Sequence, residues 1–111
     1  MLNVPLEISC DEVRRRREAG ESLMLVDCRE ADEVAIAAIK GARWIPMGEL
    51  PDRAGELAGR EADRVVVHCH LGGRSLRVAR WLRQQGFEKA QSMTGGIDQW
   101  AEQIETGMTR Y

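Results

Sequence analysis

Long apolar runs are absent from this sequence, since its stretches of consecutive apolar residues extend over only a few positions. A helix that spans a bilayer needs ~20 such residues, so no membrane anchor is predicted. Residues 1–10 contain no basic segment followed by an apolar stretch, which is the pattern of a signal peptide. We therefore expect a cytoplasmic protein with no membrane partner.

An excess of charge of one sign is also lacking. The 16 Lys and Arg residues nearly balance the 18 Asp and Glu residues, which leaves a net charge of −2. A chain this close to neutral has no overall attraction to nucleic acid or to anionic lipid. No nucleic-acid partner is expected.

Cysteine is sparse, and the three present are Cys10, Cys28 and Cys69. An odd set of this size does not make a disulfide framework, and in a reducing compartment it predicts free thiols. His68, Cys69 and His70 are consecutive, and no second Cys or His cluster would complete a metal site. No metal or other cofactor is expected, and the open question is whether one thiol is reactive.

The sequence does contain enough apolar residues for one core. Its 111 residues are 43% hydrophobic and 31% charged, a length and a balance typical of a single soluble domain. No internal repeat, low-complexity tract or Gly/Ser linker divides the chain. We therefore interpret residues 1–111 as one domain.

A capping-box pattern at Ser9 predicts the first helix. The Ser9 hydroxyl can accept from the amide three residues on, and Glu12 can reach back to the Ser9 amide. The helix is predicted to end before Gly20. Residues 23–26 and 65–67 are short apolar runs without alternation, as in strands buried on both faces of a parallel sheet.

The rest of the chain continues the alternation of strands and helices. The further predicted elements are an edge strand at 43–45, a helical segment at 48–59, a helix at 75–85 that stops at Gly86, a strand at 90–93 and a last helix at 97–104 entered through Gly95 and Gly96. This order favours an α/β fold with a mainly parallel sheet. Ligand sites in such sheets lie beyond the carboxyl ends of the strands, where Asp27 and Cys69 occur.

The loop from Cys69 to Ser75 is suited to activating a thiol. Gly72 and Gly73 permit backbone conformations that turn successive amides into one concavity, and the helix that follows adds its unpaired N–H groups. Donors around a thiol favour the thiolate and lower the pKa, and the thiolate is the nucleophile. Cys69 is therefore the candidate nucleophile.

Four motifs along the chain occur in the order found in one protein family. They are Asp27-Cys28-Arg29-Glu30 after a strand, Ile39-Lys40-Gly41-Ala42 leading to Ile45-Pro46, Cys69-x-x-Gly72-x-Arg74-Ser75, and Gly95-Gly96-Ile97 with Trp100. Over nearly its whole length the sequence resembles the rhodanese family. The resemblance implies a single rhodanese-like α/β domain, with a mainly parallel central sheet flanked by helices on both faces.

The resemblance also implies an activity, that of a thiosulfate sulfurtransferase. In that family the cysteine takes the outer sulfur of thiosulfate or a related small anionic donor and holds it as a persulfide. It then passes the sulfur to cyanide or to a thiol, and an acceptor protein is a further partner that the resemblance leaves open.

By the same resemblance, Cys69 is the catalytic residue. The residues expected to bind the substrate form the rest of the loop: His70, Leu71, Gly72, Gly73, Arg74 and Ser75. Asp27 and Arg29 are expected to support the site, Asp27 by orienting loop groups and Arg29 by favouring anions near the mouth. Arg74 either faces the substrate or turns back onto a carboxylate such as Asp27 or Glu30, and we favour the second role, which braces the loop.

Loop length separates this family from related cysteine phosphatases. Arg74 lies five positions after Cys69, as in rhodaneses, whereas the phosphatases have one residue more and so have room for a phosphoryl group. His68, in contrast, precedes the cysteine as it does in many cysteine phosphatases. Two alternatives therefore stay open: a phosphatase or arsenate reductase, and a persulfide carrier or regulatory module.

Two further features have simpler interpretations. Cys28 is interpreted as a packing residue of the core rather than as a resolving thiol. Arg77, Arg80 and Arg83 recur every three residues, which is typical of a solvated helix face.

Overall fold

The computed structural model describes residues 4–111. Within them, the strands are β1 (Glu7–Ile8), β2 (Leu23–Asp27), β3 (Arg43–Trp44), β4 (Arg64–His68) and β5 (Ala90–Met93). The α-helices are α1 (Cys10–Glu18), α2 (Ala31–Ile36), α3 (Leu50–Arg53), α4 (Gly73–Gln84) and α5 (Gly96–Gln103). Short 3-10 segments at Met47–Glu49 and Ala54–Leu57 flank α3.

The strands form one sheet in the order β1-β5-β4-β2-β3, and every neighbouring pair is parallel. The central strand β4 and its neighbour β2 are the apolar runs of the sequence. Their register pairs Asp27 with His68, so the residues that follow both strands leave the same edge of the sheet. The predicted edge strand is confirmed as β3.

The core has two layers, one on each face of the sheet, because successive side chains of a strand point to opposite faces. In β4, Val65 and Val67 belong to one layer and Val66 to the other. The first layer is completed by Leu50, Leu57, Val78 and Leu82 from the α3 region and α4. The second is completed by Cys10, Val13, Ile97 and Trp100 from α1 and α5. The predicted α/β domain with helices on both faces of a parallel sheet is thus confirmed.

Helix α1 begins as its cap predicts. The Ser9 hydroxyl accepts from the Glu12 amide at 3.1 Å. Glu12 does not reach back to Ser9, because its carboxylate accepts from Arg16 Nε at 3.1 Å instead. At the far end of the chain's longest helix, α4, Gly86 has a φ of 103°, the left-handed conformation expected of a helix stop.

Two elements were not predicted from the sequence. Strand β1 has only two residues and pairs with β5 at the sheet edge, so it offers no periodicity to detect. Helix α2 has six residues and begins with a capping box in which the Glu33 carboxylate accepts from the Glu30 amide at 3.1 Å. It is too short for an apolar stripe, and none of its residues is buried.

Arg83, predicted to lie on a solvated helix face, instead forms hydrogen bonds between elements of the fold. Arg83 donates to the carbonyls of Ala90, Val4 and Pro5 at 2.8, 2.7 and 3.0 Å. It therefore ties α4 to β5 and to the segment before β1, and the solvated interpretation is wrong for Arg83. None of the helices in residues 4–111 combines the length and the apolar character of a membrane span.

Candidate active site

Cys69 leaves the carboxyl end of β4 and opens a tight loop into α4. The amides of Gly72 and Ser75 donate to the Cys69 sulfur at 3.1 and 3.4 Å, and the Ser75 hydroxyl oxygen lies 3.4 Å from it. Gly72 has a φ of 114°, a conformation that a residue with a Cβ rarely adopts. Gly73 starts α4 and is exposed. The loop therefore directs several donors onto one sulfur atom.

These donors act against the effect of burial on the thiol. Cys69 is 1% exposed, and burial by itself raises the pKa of a thiol. Hydrogen bonds from the Ser75 hydroxyl and from the amides of Ser75 and Gly72 outweigh it, so the pKa of Cys69 is lowered from its ordinary value. Burial raises the pKa of Cys10 to about 11 and that of Cys28 to about 12. Cys69 is thus the thiol whose thiolate form the fold favours.

The first turn of α5 supports the loop from outside. The amides of Ile97 and Asp98 donate to the carbonyls of Cys69 and His70 at 2.9 and 3.1 Å. Gly96 has a φ of 58°, and a Cβ at this position would lie 2.4 Å from the His70 oxygen and 2.6 Å from the Cys69 oxygen. Only a glycine permits this close approach. The sequence showed Gly95 and Gly96 as a turn, without indicating that the turn holds the loop.

Arg74 turns back onto a carboxylate, and that carboxylate is Glu33 rather than Asp27 or Glu30. The guanidinium nitrogens Nη1 and Nη2 donate to the two Glu33 oxygens at 2.6 and 2.7 Å. These bonds lower the pKa of Glu33 to about 2. Glu33 lies in the unpredicted helix α2, which is why sequence reasoning missed it.

Glu33→Gln is expected to lower the free energy of unfolding at neutral pH by about 1–3 kcal/mol, as for a hydrogen bond to a charged partner. Because the pKa of Glu33 falls from 4.5 to about 2 on folding, its carboxylate contributes fully above pH 4.5. The contribution is lost as the pH falls towards 2. Urea denaturation across this range should show the variant and the parent converge in acid.

Glu88→Gln serves as the control, because Glu88 is exposed. It should change stability by less than about 0.5 kcal/mol at any of these pH values. A constant difference between parent and Glu33→Gln down to pH 2 would contradict the role of the carboxylate.

Asp27 and Arg29 form a buried ion pair and do not line the mouth of the site. Arg29 is 0% and Asp27 2% exposed, and Arg29 Nε and Nη2 donate to the two Asp27 oxygens at 2.9 and 2.7 Å. Arg29 also donates to the carbonyls of Glu33 and Ala37 at 3.2 and 2.7 Å. The expected positions are therefore wrong: Arg29 is not at the mouth, and Asp27 contacts Arg29 rather than loop groups. Through its bonds to the Glu33 and Ala37 carbonyls, Arg29 joins α2 to the end of β2.

Tyr111 contacts the loop residue His70 and was not predicted. The two rings stack with their centroids 3.9 Å apart and their planes at 12°. The Tyr111 hydroxyl donates to a Glu33 oxygen at 2.9 Å and accepts from Arg29 Nη1 at 3.0 Å.

Leu71, the loop residue that follows His70, is 64% exposed. Of the predicted binding residues, His70 and Leu71 are thus at the rim, while Ser75 lies beside the sulfur.

His68 is buried behind the loop, with its Nδ1 3.4 Å from the Cys69 carbonyl oxygen. It is 0% exposed, and its Nε2 lies 3.7 Å from an Asp27 oxygen without a hydrogen-bond partner in residues 4–111. Burial lowers the pKa of His68, which favours the neutral ring. Among the residues that the structure describes, no group of three or more His, Cys, Asp or Glu side chains could hold a metal ion.

Comparison with known proteins identifies the family to which this fold belongs. The sequence model of the rhodanese-like domain matches residues 9–103. YrkF of Bacillus subtilis is 37% identical over 99 residues, which are 89% of this chain and 52% of YrkF, so the chain spans about half the length of that relative. A protein of Allochromatium vinosum named sulfurtransferase is 35% identical over 95 residues, which cover 86% of this chain and 87% of that protein.

Solved structures of similar proteins superpose on this chain over most of its length. The human single-domain sulfurtransferase TSTD1 superposes with a TM-score of 0.76 at 28% identity and covers 89% of this chain and 97% of its own. SSP1007 of Staphylococcus saprophyticus superposes with a TM-score of 0.80 at 28% identity, over 90% and 97% of the two chains. The fold and the cysteine loop define a rhodanese-like domain. This chain belongs to the rhodanese-like family.

Proposed function

We propose that this protein is a sulfurtransferase that carries sulfane sulfur as a persulfide on Cys69. The donor is thiosulfate or a related small anion, and the acceptor is cyanide or a thiol, including a thiol on an acceptor protein. The observation that carries the proposal is the pair of amides, from Gly72 and Ser75, that donate to the Cys69 sulfur. Relatives named as sulfurtransferases support it.

The reaction has two nucleophilic steps. In the first, the Cys69 thiolate attacks the outer sulfur of thiosulfate, a new S–S bond forms, and sulfite leaves with the electron pair of the broken S–S bond. In the second, cyanide or a thiolate attacks the outer sulfur of the persulfide, and Cys69 leaves as the thiolate. Each step begins or ends with negative charge on sulfur, which the loop donors stabilise without having to reorganise.

The loop stabilises this charge with neutral donors rather than with a cation. The guanidinium of Arg74 is held by two short bonds to Glu33, so the amides and the Ser75 hydroxyl are the groups in contact with the sulfur. A persulfide adds a second sulfur about 2 Å beyond the first. An acceptor can react only if this second sulfur projects away from the buried position of the Cys69 sulfur.

Phosphate chemistry is supported less well by the same geometry. A phosphoryl group needs several oxygens seated at once among the loop donors, and the guanidinium of Arg74 is engaged by Glu33 instead of facing the loop interior. His68, the residue that suggested a phosphatase, is buried and points to Asp27. Arg74 is also five positions after Cys69, the spacing that the resemblance assigns to rhodaneses, whereas it assigns one residue more to the related phosphatases.

The test of the proposal is the intact mass of the protein after incubation with thiosulfate. We expect the mass of one sulfur atom to be gained, and treatment with cyanide to remove it. Cys69→Ser should gain nothing, because a hydroxyl cannot form a persulfide, whereas Cys28→Ser should gain the sulfur like the parent. Hydrolysis of an aryl phosphate by the same preparation should be negligible.

The proposal fails if the added sulfur maps to Cys28 or persists in Cys69→Ser. It also fails if the parent protein hydrolyses the phosphate ester through Cys69 more efficiently than it consumes thiosulfate. In that case the loop-length argument is wrong and a phosphatase replaces the sulfurtransferase.

A further inference from the structure

A second serine lies behind the hydroxyl that contacts the Cys69 sulfur. Ser92, in β5, places its Oγ 2.7 Å from the Ser75 Oγ, and the Ser75 Oγ lies 3.4 Å from the sulfur. Ser75 is 0% and Ser92 1% exposed. The Cys69 sulfur, the Ser75 hydroxyl and the Ser92 hydroxyl therefore form a buried series of contacts.

The direction of the bond between the two hydroxyls follows from the acceptors within reach. The Ser75 hydroxyl has the Gly72 carbonyl at 3.1 Å as an acceptor, besides the sulfur of Cys69. In residues 4–111, the Ser92 hydroxyl has no acceptor other than the Ser75 oxygen. If Ser92 accepted instead, its own hydrogen would be buried without a partner, which is unfavourable. Ser92 therefore donates to Ser75.

This direction leaves the single hydrogen of Ser75 free to change its acceptor. When Cys69 is a thiol, its S–H can donate to the Ser75 oxygen while the Ser75 hydrogen bonds the Gly72 carbonyl. When Cys69 is a thiolate, the Ser75 hydrogen can rotate onto the sulfur. Ser92 donates in both states, and a donor behind a hydroxyl polarises it and strengthens the bond that it donates.

We propose that Ser92 is a positioning residue for sulfur transfer, which directs the Ser75 hydroxyl onto the Cys69 sulfur when that sulfur is negatively charged. Ser92 does not touch the sulfur and acts through Ser75. The inference rests on the proposed function, because it takes Cys69 as the nucleophile. It adds a residue from β5 to a site otherwise built from the loop and the start of α4.

The test is the pH dependence of iodoacetamide alkylation at Cys69, mapped by mass, in the full chain. Ser75→Ala should raise the alkylation midpoint by about one to two pH units, because it removes a hydrogen bond to a charged sulfur. Ser92→Ala should raise it by a few tenths of a unit, since polarisation by a second donor adds roughly 10–30% to the first bond. Ser92→Thr, which keeps the hydroxyl, should restore the parent midpoint.

The decisive comparison is Ser92→Ala in the Ser75→Ala background, where we expect no further shift. An equal shift with and without the Ser75 hydroxyl overturns the inference, because Ser92 would then act on the loop by packing alone. An unchanged midpoint in Ser92→Ala overturns it as well. If the midpoints follow the expected pattern but thiosulfate leaves no persulfide, the proposed function fails, and Ser92 then positions the Ser75 hydroxyl for a Cys69 thiolate that does not transfer sulfur.

Discussion

Asp27→Ala is expected to lower the free energy of unfolding by about 3–5 kcal/mol, the usual cost of removing one partner from a buried ion pair. Asp27 accepts three hydrogen bonds from Arg29, from its Nε, its Nη2 and its backbone amide. Without the carboxylate, Arg29 stays in a position that is 0% exposed with its charge unpaired. Urea denaturation at neutral pH measures the loss.

Asp98→Ala is the matched control, because it also removes one aspartate from an Arg–Asp pair. Asp98 pairs with Arg110, which is 48% exposed, and the bond lengths are both 3.1 Å. A pair at the surface contributes about 0–1 kcal/mol. If Asp27→Ala costs no more than Asp98→Ala, the buried pair does not hold α2 in place.

A double variant separates the cost of an unpaired charge from the value of the pair itself. Asp27→Leu with Arg29→Met replaces both charges by apolar groups of similar size. Such replacements of buried pairs are often neutral or better, so the double variant should recover much of the stability lost in Asp27→Ala. Recovery will be incomplete, because the bonds from Arg29 to the Glu33 and Ala37 carbonyls are lost as well.

The elements that could be predicted from the sequence are those that are determined by residues close together in the chain. Residues 23–26 and 65–67 are apolar without alternation because both faces of β2 and β4 are covered. The cap at Ser9 and the stop at Gly86 depend on groups within a few positions. The loop at Cys69 belongs to the same class, since its donors, Gly72 and Ser75, lie three and six positions away.

What could not be predicted depends on partners that are distant in sequence. Arg74 and Glu33 are separated by 41 positions, and several nearby carboxylates have the same charge and similar reach. Glu33 is the carboxylate that pairs with Arg74 because α2 places it there, and the sequence pattern does not indicate α2. Arg29 was placed at the mouth for a similar reason: nothing local indicates that its side chain turns inward to Asp27 and the α2 carbonyls.

The loop is held from three directions, by α2, by α5 and by β5. Glu33 of α2 fixes Arg74, the first turn of α5 fixes the carbonyls of Cys69 and His70, and Ser92 of β5 contacts Ser75. Such support lets the amides point at the sulfur before any substrate arrives, which is the condition for electrostatic stabilisation of an anion. The support from α5 is the one that a single methyl group can disrupt.

Gly96→Ala is therefore expected to impair both folding and sulfur transfer. The new Cβ would lie 2.4 Å from the His70 oxygen and 2.6 Å from the Cys69 oxygen, and backbone carbonyls cannot rotate away as a flexible side chain can. The substitution also forces a residue with a Cβ into a φ of 58°, which costs roughly 1–2 kcal/mol. Overpacking adds about 1–3 kcal/mol. We therefore expect the free energy of unfolding to fall by about 2–5 kcal/mol in total.

The effect on catalysis should exceed the effect of instability. To relieve the contact, the carbonyls of Cys69 and His70 must move away from the amides of Ile97 and Asp98, and the Cys69 sulfur moves with them. A misplacement on the order of 1 Å costs about 100-fold in rate, so thiosulfate consumption should fall by about that factor under conditions where the variant is still folded. The alkylation midpoint of Cys69 should rise, because its donors no longer converge.

Gly55→Ala is the control, because a Cβ there meets no atom within 4 Å and Gly55 has no positive φ. This substitution should stabilise the fold by up to about 1 kcal/mol without changing turnover. Full activity in folded Gly96→Ala would show that the contact between α5 and the loop does not position the thiol.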